Sequence, residues 1–402
     1  MKTGLLGRKL GHSYSPQIHA HLGSYSYELF EKEPDEIGDF LKYGDFSAIN
    51  VTIPYKQDVI PYCTELSDVA KRLGAVNTII RRTDGSLIGH NTDYFGFLST
   101  LQASGLTIAG KKAVIIGSGG ASKPVKAALD DLGADTVVIS HKENNTQTLT
   151  KHADAAILVN ATPVGMYPNN GTSPVDLDQF PCLDGVIDLI YNPARTKLML
   201  DAEQRGLTVV SGLWMLVAQA KEAAEWFTGT AISNIIEPIY RKLSIQMENI
   251  VLIGMPGCGK TTVGNALAER LGRKFVDADA EIEKRTGMTI PEIFAMSGET
   301  AFREIETQVL CELGKCSSLV ISTGGGCVTQ ERNYPPLHQN SKIFWLLRDL
   351  DQLPTCGRPL SQRGRLDEMY NLRKPYYERF SDYVIDNNNT PEETISQIIS
   401  KL

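Results

Sequence analysis

The chain has 402 residues, 42% of them hydrophobic and 22% charged, with 40 Lys and Arg against 47 Asp and Glu for a formal net charge of −7. At roughly 100–200 residues per domain that length holds two to four domains, and the composition excludes a disordered, collagen-like or disulfide-stapled chain. The acidic balance argues against a nucleic-acid partner, which needs a basic excess, and the 7 cysteines, odd in number and without C-x-x-C spacing, read as the reduced thiols of a cytoplasmic protein. The opening MKTGLLGRKLGHSYSP has too short an apolar run for a signal peptide, and the most apolar stretch, Gly212 to Ala220, is about half a membrane span. In chain order, Ala48-Ile-Asn-Val-Thr-Ile53 predicts a strand in a first lobe. Lys112-Ala-Val-Ile-Ile116 predicts a strand buried on both faces, followed by a glycine turn and a helix from about Lys123 to Gly133. Thr136-Val-Val-Ile139 is the next strand, and residues 213–245 read as helix. Asn249-Ile-Val-Leu-Ile253 repeats the pattern of apolar strand, glycine turn and helix, here from Gly259 to Gly272.

The two glycine turns carry different chemistry. Gly117-Ser-Gly-Gly-Ala-Ser122 stands where a dinucleotide loop stands, between a buried strand and a helix, although Ser122 replaces the third glycine of the fingerprint. An acid at the end of the following strand would accept from a ribose 2′-OH; here His141 and Lys142 precede the first acid, Glu143, which favours a 2′-phosphate and NADP(H). Gly254-Met-Pro-Gly-Cys-Gly-Lys-Thr261 satisfies G-x-x-x-x-G-K-[ST]. The N–H groups of Gly257, Cys258, Gly259 and the residues through Thr262 would cradle the phosphates of a nucleoside triphosphate, with Lys260 reaching the β/γ-phosphates and the Thr261 hydroxyl on Mg2+. Phe275-Val-Asp-Ala-Asp279 predicts two carboxylates, Asp277 and Asp279, on one face of a strand end.

His12-Ser-Tyr-Ser-Pro16, Asn50-Val-Thr-Ile-Pro-Tyr-Lys56, Gly74-Ala-Val-Asn-Thr78, Asn91-Thr-Asp93, Asn160-Ala-Thr-Pro-Val-Gly-Met166, Asp188-Leu-Ile-Tyr-Asn-Pro193 and Gly212 through Gln219 together resemble shikimate dehydrogenase over nearly all of residues 1–245. The resemblance implies a shikimate pocket lined by Ser13, Ser15, Thr52, Asn77, Asp93, Tyr191 and Gln219. In it Lys56 gives and takes the proton at C3 as hydride moves, oriented by Asp93. The cofactor would lie on Gly117, Ser118, Gly119, Gly120 and Ala121, then Ser140, His141, Lys142, Thr162, Met166, Leu189 and Gly212. Ser140-His-Lys142 departs from the Asn-Arg-Thr common there, removing a planar 2′-phosphate clamp and relaxing selectivity for NADP.

The phosphate loop, the D-x-D pair, Gly298-Glu-Thr-Ala-Phe-Arg-Glu-Ile-Glu306, Thr323-Gly-Gly-Gly326, Arg358-Pro-Leu and Leu372-Arg-Lys-Pro resemble shikimate kinase over residues 248–402. By that resemblance Asp277 joins the Mg2+ shell and Asp279 meets the substrate hydroxyls. Arg303 and Arg373 clamp the substrate carboxylate, Gly324, Gly325 and Gly326 line the ring, and Arg358 closes over the transferred phosphoryl. Asp351 to Gly357 and Asp386 to Pro391 lack arginines common at those places.

The expected fold is α/β. A substrate lobe (1–103 and 213–246) surrounds a Rossmann-like dinucleotide domain (104–212), followed from 247 to 402 by a P-loop NTPase-type parallel-sheet domain of the nucleoside monophosphate kinase kind. The implied function is two consecutive steps of the shikimate pathway: NADPH-dependent reduction of 3-dehydroshikimate, then phosphorylation of shikimate by ATP–Mg2+. The partners are small molecules, with no nucleic acid or membrane, and a homodimer is left open. Two other readings stand beside it: a quinate-oxidising dehydrogenase with a kinase for another polyol, and a ligand sensor built from the same domains.

Overall fold

The computed structural model describes residues 1–11, 13–353 and 363–402. Its first sheet is built from β1 (Lys2–Gly7), β2 (Ser26–Glu31), β3 (Ala48–Val51), β4 (Glu65–Leu66), β5 (Thr78–Arg81) and β6 (Leu87–His90), in the order β2-β1-β3-β5-β6-β4. It is mixed: β1 pairs in parallel with β2 and β3, whereas β5 runs antiparallel to both β3 and β6. All four residues of β3 are buried, and Leu6, Ile49, Val51, Tyr55 and Ile79 anchor the apolar layer that covers the sheet. The strand stops at Val51, so Thr52 and Lys56 fall on the turn at its carboxyl end.

The second sheet is wholly parallel: β7 (Lys112–Ile116), β8 (Asp135–Ile139), β9 (Ile157–Asn160), β10 (Gly185–Asp188) and β11 (Thr208–Ser211), ordered β11-β10-β9-β7-β8. The apolar run of β7 is buried from Ala113 to Ile116, as a strand covered on both faces must be. Chain direction across the sheet reverses at β7, between β9 and β8. That switch point at the carboxyl ends is where open α/β sheets bind ligands. The helix after the loop spans Ser122–Asp131. The helical region expected over 213–245 is two helices, Gly212–Thr228 and Ile236–Met247, because Gly229 turns left-handed at φ 66° and ends the first.

The third sheet, β12 (Asn249–Ile253), β13 (Lys274–Asp277), β14 (Leu319–Ser322), β15 (Ser341–Leu347) and β16 (Tyr383–Asp386), is also parallel, in the order β13-β14-β12-β15-β16. Central β12 is buried throughout. Its loop leads into the helix Lys260–Leu271, which Gly272 closes at φ 64°.

The chain divides into two compact units, Met1–Val164 with Ser173–Tyr191 and Asp201–Lys242, and Gly165–Thr172 with Asn192–Leu200 and Leu243–Leu402. The division therefore departs from a single cut near 246, because two short early segments belong to the second unit. There the Tyr167 hydroxyl donates to the Gly314 carbonyl (3.0 Å), and the Arg195 amide and guanidinium donate to the carbonyls of Gln339 (2.8 Å) and Ser341 (2.6 Å). Such bonds saturate backbone acceptors at the start of β15, and nothing in local composition announces them.

Candidate active sites

In the first unit a cavity of about 270 Å³ gathers Ser13, Ser15, Thr52, Lys56, Asn77, Asp93, Tyr191 and Gln219, and Ala121, Leu189 and Gly212 line it too. Lys56 leaves the turn after β3, pinned by its carbonyl to the Val76 amide (2.7 Å). Asp93 opens the helix Asp93–Ser104, where the helix dipole favours a carboxylate. The Lys56 ammonium donates to Asp93 Oδ2 at 2.6 Å, and the two side chains are 25% and 15% exposed, so the pair is sheltered yet open to the cavity. The Asp93 amide in turn donates to Asn91 Oδ1 (3.1 Å).

A buried polar network supports the cavity beside this pair. Asn77 accepts from the Thr92 amide at Oδ1 (2.7 Å) and donates through Nδ2 to Thr92 Oγ1 (3.0 Å), whose hydroxyl faces Gln219 Oε1 (3.3 Å). Asn50 donates to Thr78 Oγ1 (3.1 Å) and accepts from the Tyr27 hydroxyl (2.8 Å). Burial raises the Tyr191 phenol above its usual range, keeping it a neutral donor. Asn50 lines the cavity and Thr92 braces Asn77; both lie inside sequence motifs that assign them no role.

Gly117 takes φ 107°, and a Cβ there would meet Thr162 Cγ2 at 2.8 Å, so only glycine fits where β7 and β9 part. Gly119 and Gly120 face open space, and Ser118 lies exposed between Gly117 and Gly119. His141 and Lys142 are exposed beyond β8. Ser140 donates its amide (3.2 Å) and hydroxyl (2.5 Å) to Glu143 Oε2, which holds that carboxyl below the usual glutamate range. Met166 is 45% exposed, in the segment Gly165–Thr172.

In the second unit a cavity of about 470 Å³ is lined by Gly257, Gly259, Lys260, Thr261, Thr262, Asp277, Asp279 and Gly325. Cys258 is fully buried behind the loop. The Lys260 ammonium donates to the carbonyls of Gly254 (2.9 Å) and Met255 (3.1 Å). The Thr261 hydroxyl donates to Asp277 Oδ2 at 2.9 Å, a pairing of hydroxyl and carboxylate that suits a Mg2+ otherwise held by phosphate and water.

The two carboxylates do not share a strand face. β13 ends at Asp277, whose Oδ1 accepts from the amides of Asp279 (3.0 Å) and Ala280 (3.3 Å) as N-cap of the helix Ala278–Thr286. A cap of this kind stabilises a helix by about 1 kcal/mol, and it starts the helix one residue early, with Asp279 in its first turn. Burial raises the Asp279 carboxyl above the usual aspartate range, with the neighbouring Asp277 charge adding to it.

The glycine loop after β14 collects the remaining expected residues. A Cβ on Gly324 would meet Asp279 Oδ1 at 2.8 Å and one on Gly326 would meet the Arg303 guanidinium at 2.5 Å. The Gly325 carbonyl accepts from Arg373 Nη1 (3.1 Å) and the Tyr377 hydroxyl (2.5 Å). Arg303 is paired to Glu306 (2.8 Å) and Glu299 (3.1 Å). Glu306 Oε1 is buried without a hydrogen-bond partner and burial pushes that carboxyl up; this residue and Tyr377 have no assigned role in the sequence reading. Arg358 lies outside the described residues.

A family model for shikimate kinase matches residues 256–402, and one for the shikimate dehydrogenase substrate binding domain matches residues 5–79. The shikimate dehydrogenase (NADP(+)) of Clostridium beijerinckii is 37% identical over 252 residues, 58% of this chain and 93% of that protein. Among solved structures, shikimate dehydrogenase 1 from Peptoclostridium difficile is 38% identical with a TM-score of 0.56, covering 60% of this chain and 98% of that one. The Thermus thermophilus shikimate 5-dehydrogenase in complex with NADP(H) and shikimate is 31% identical with a TM-score of 0.55, covering 60% of this chain and 99% of that one. The chain belongs to the shikimate dehydrogenase family, and it carries a shikimate kinase domain after the part that matches that family.

Proposed function

We propose that the first unit reduces 3-dehydroshikimate to shikimate with NADPH and that the second phosphorylates the hydroxyl so formed. The observation that carries the first step is the 2.6 Å contact between Lys56 and Asp93 on the wall of a cavity rich in hydroxyls and amides. Leu189 and Gly212 would hold the nicotinamide, which would supply hydride when bound. The Lys56 ammonium gives its proton to the developing alkoxide, and Asp93 holds the lysine and orients the hydroxyl. Ser13, Ser15, Thr52, Asn77, Tyr191 and Gln219 supply donors and acceptors for the remaining hydroxyls and the carboxylate.

In the second step ATP lies on Gly257 to Thr262. Thr261 and Asp277 would hold Mg2+, which would neutralise phosphate charge when bound. Asp279 receives the attacking hydroxyl's proton, and Arg303 and Arg373 fix the substrate carboxylate beside Gly324 to Gly326. Arg358 belongs to this proposal on its sequence motif alone. The test is shikimate with ATP–Mg2+, followed by phosphorus–proton correlation NMR. Phosphate on the C3 oxygen is expected; phosphate elsewhere, or no transfer, would overturn the second step.

A further inference from the structure

The phosphate-loop cavity has one cation among its described lining residues, Lys260, together with the carboxylates Asp277 and Asp279. Arg348 stands beside it. It follows β15, which pairs in parallel with β12, so the carboxyl end of β15 lies next to the loop that β12 feeds. A Cβ on Gly254 would come 2.7 Å from the Leu346 carbonyl, and one on Gly259 would come 3.8 Å from Arg348 Nη1. Asn387 locks this corner: its amide donates to the Leu347 carbonyl (2.8 Å), its Nδ2 to the Cys258 carbonyl, and its Oδ1 accepts from Thr394 (2.7 Å).

Three other partly buried arginines each have several protein acceptors. Arg81 donates to the carbonyls of Leu41, Lys42, Gly44 and Phe46, Arg273 to those of Ile245 and Glu248, and Arg303 pairs with two glutamates. Among the described residues Arg348 makes no ion pair or hydrogen bond, and its Nε is buried without a partner. A guanidinium desolvated on one side and left without an acceptor is costly unless a ligand supplies one. The ligand this corner suits is an anion with several oxygens, because the planar fork binds two at once.

We propose that Arg348 is a nucleotide-binding residue of the kinase site, ion-paired with the phosphates of ATP seated on Gly257 to Thr262. The inference rests on reading that loop as the ATP site, and titration of the full-length parent with ADP separates the two claims. A parent that fails to bind ADP overturns the reading of the site; a parent that binds while Arg348→Met binds as tightly overturns the role of Arg348. The expected result is ADP binding about tenfold weaker in Arg348→Met, with a smaller loss in Arg348→Lys and a difference that shrinks with added salt. KM for ATP rises in step, while KM for shikimate and the reduction of 3-dehydroshikimate stay at parent values. An equal rise in the KM of ATP and shikimate together with a lower melting temperature would make Arg348 a structural residue and overturn the proposal.

Discussion

Ser140 gives both its donors to one carboxylate, and that bears on which dinucleotide the first unit prefers. Hydrogen bonding keeps Glu143 ionised, at the end of β8 where the adenosine ribose lies in a sheet of this type. A carboxylate there accepts from a 2′-OH and repels a 2′-phosphate, whereas Lys142 does the opposite. Glu143→Ala is therefore expected to raise kcat/KM for NADPH relative to NADH, and Lys142→Ala to lower it; equal ratios in parent and both variants would contradict this.

At the scale of elements, the Lys56–Asp93 pair depends on how closely two helices approach. Asp93–Ser104 lies against Gly212–Thr228 so tightly that a Cβ on Gly96 would meet Gln219 Cβ at 2.8 Å and the Met215 carbonyl at 2.9 Å. Gly96→Ala must push the helices apart, at a cost of about 1–3 kcal/mol for overpacking, and it moves Asp93 away from Gln219. The expected outcome is a lower melting temperature and a fall in kcat/KM for 3-dehydroshikimate; unchanged kinetics would mean that this approach does not position the site. Elements also mark what sequence could reveal. Buried β7 and β12 were legible because a continuous apolar run between a polar residue and a glycine turn has few other uses. The D-x-D pair misled, since alternation suggests a strand face while Asp277 equally suits an N-cap, and the cap prevails because it satisfies two amides at once. Thr92 went without a role because it acts on Asn77, which only the fold brings close, whereas Glu306 lies three residues from Arg303 on one helix, a pairing that helical spacing does announce.

For the whole molecule, the two families were legible in the motifs of the two halves. The segments Gly165–Thr172 and Asn192–Leu200 join the second unit through backbone acceptors that no local pattern announces. Among the described residues no helix is long and apolar enough to cross a membrane, and the six described cysteines are unpaired. Three buried histidines set an acid limit on stability: burial lowers His19 to about 3 and His90 and His338 to about 4, from 6.5. Each is neutral in the fold but takes a proton when unfolded, so the stability they contribute is present above pH 6.5 and is lost as pH falls towards 4. Calorimetry should show melting temperatures dropping between pH 7 and pH 5; a flat profile would contradict the burial of these rings.

The central claim, two chemically independent steps in one chain, is tested most directly by supplying 3-dehydroshikimate, NADPH and ATP–Mg2+ together and following NADPH absorbance and phosphorylated product by mass. The parent should consume NADPH and form shikimate 3-phosphate. Lys56→Ala should stop both signals, with product restored by added shikimate, since loss of a general acid costs about 10²–10⁴-fold. Lys260→Ala should leave NADPH consumption intact and abolish the phosphorylated product. NADPH consumption at the parent rate in Lys56→Ala, or phosphorylation at the parent rate in Lys260→Ala, would contradict the account.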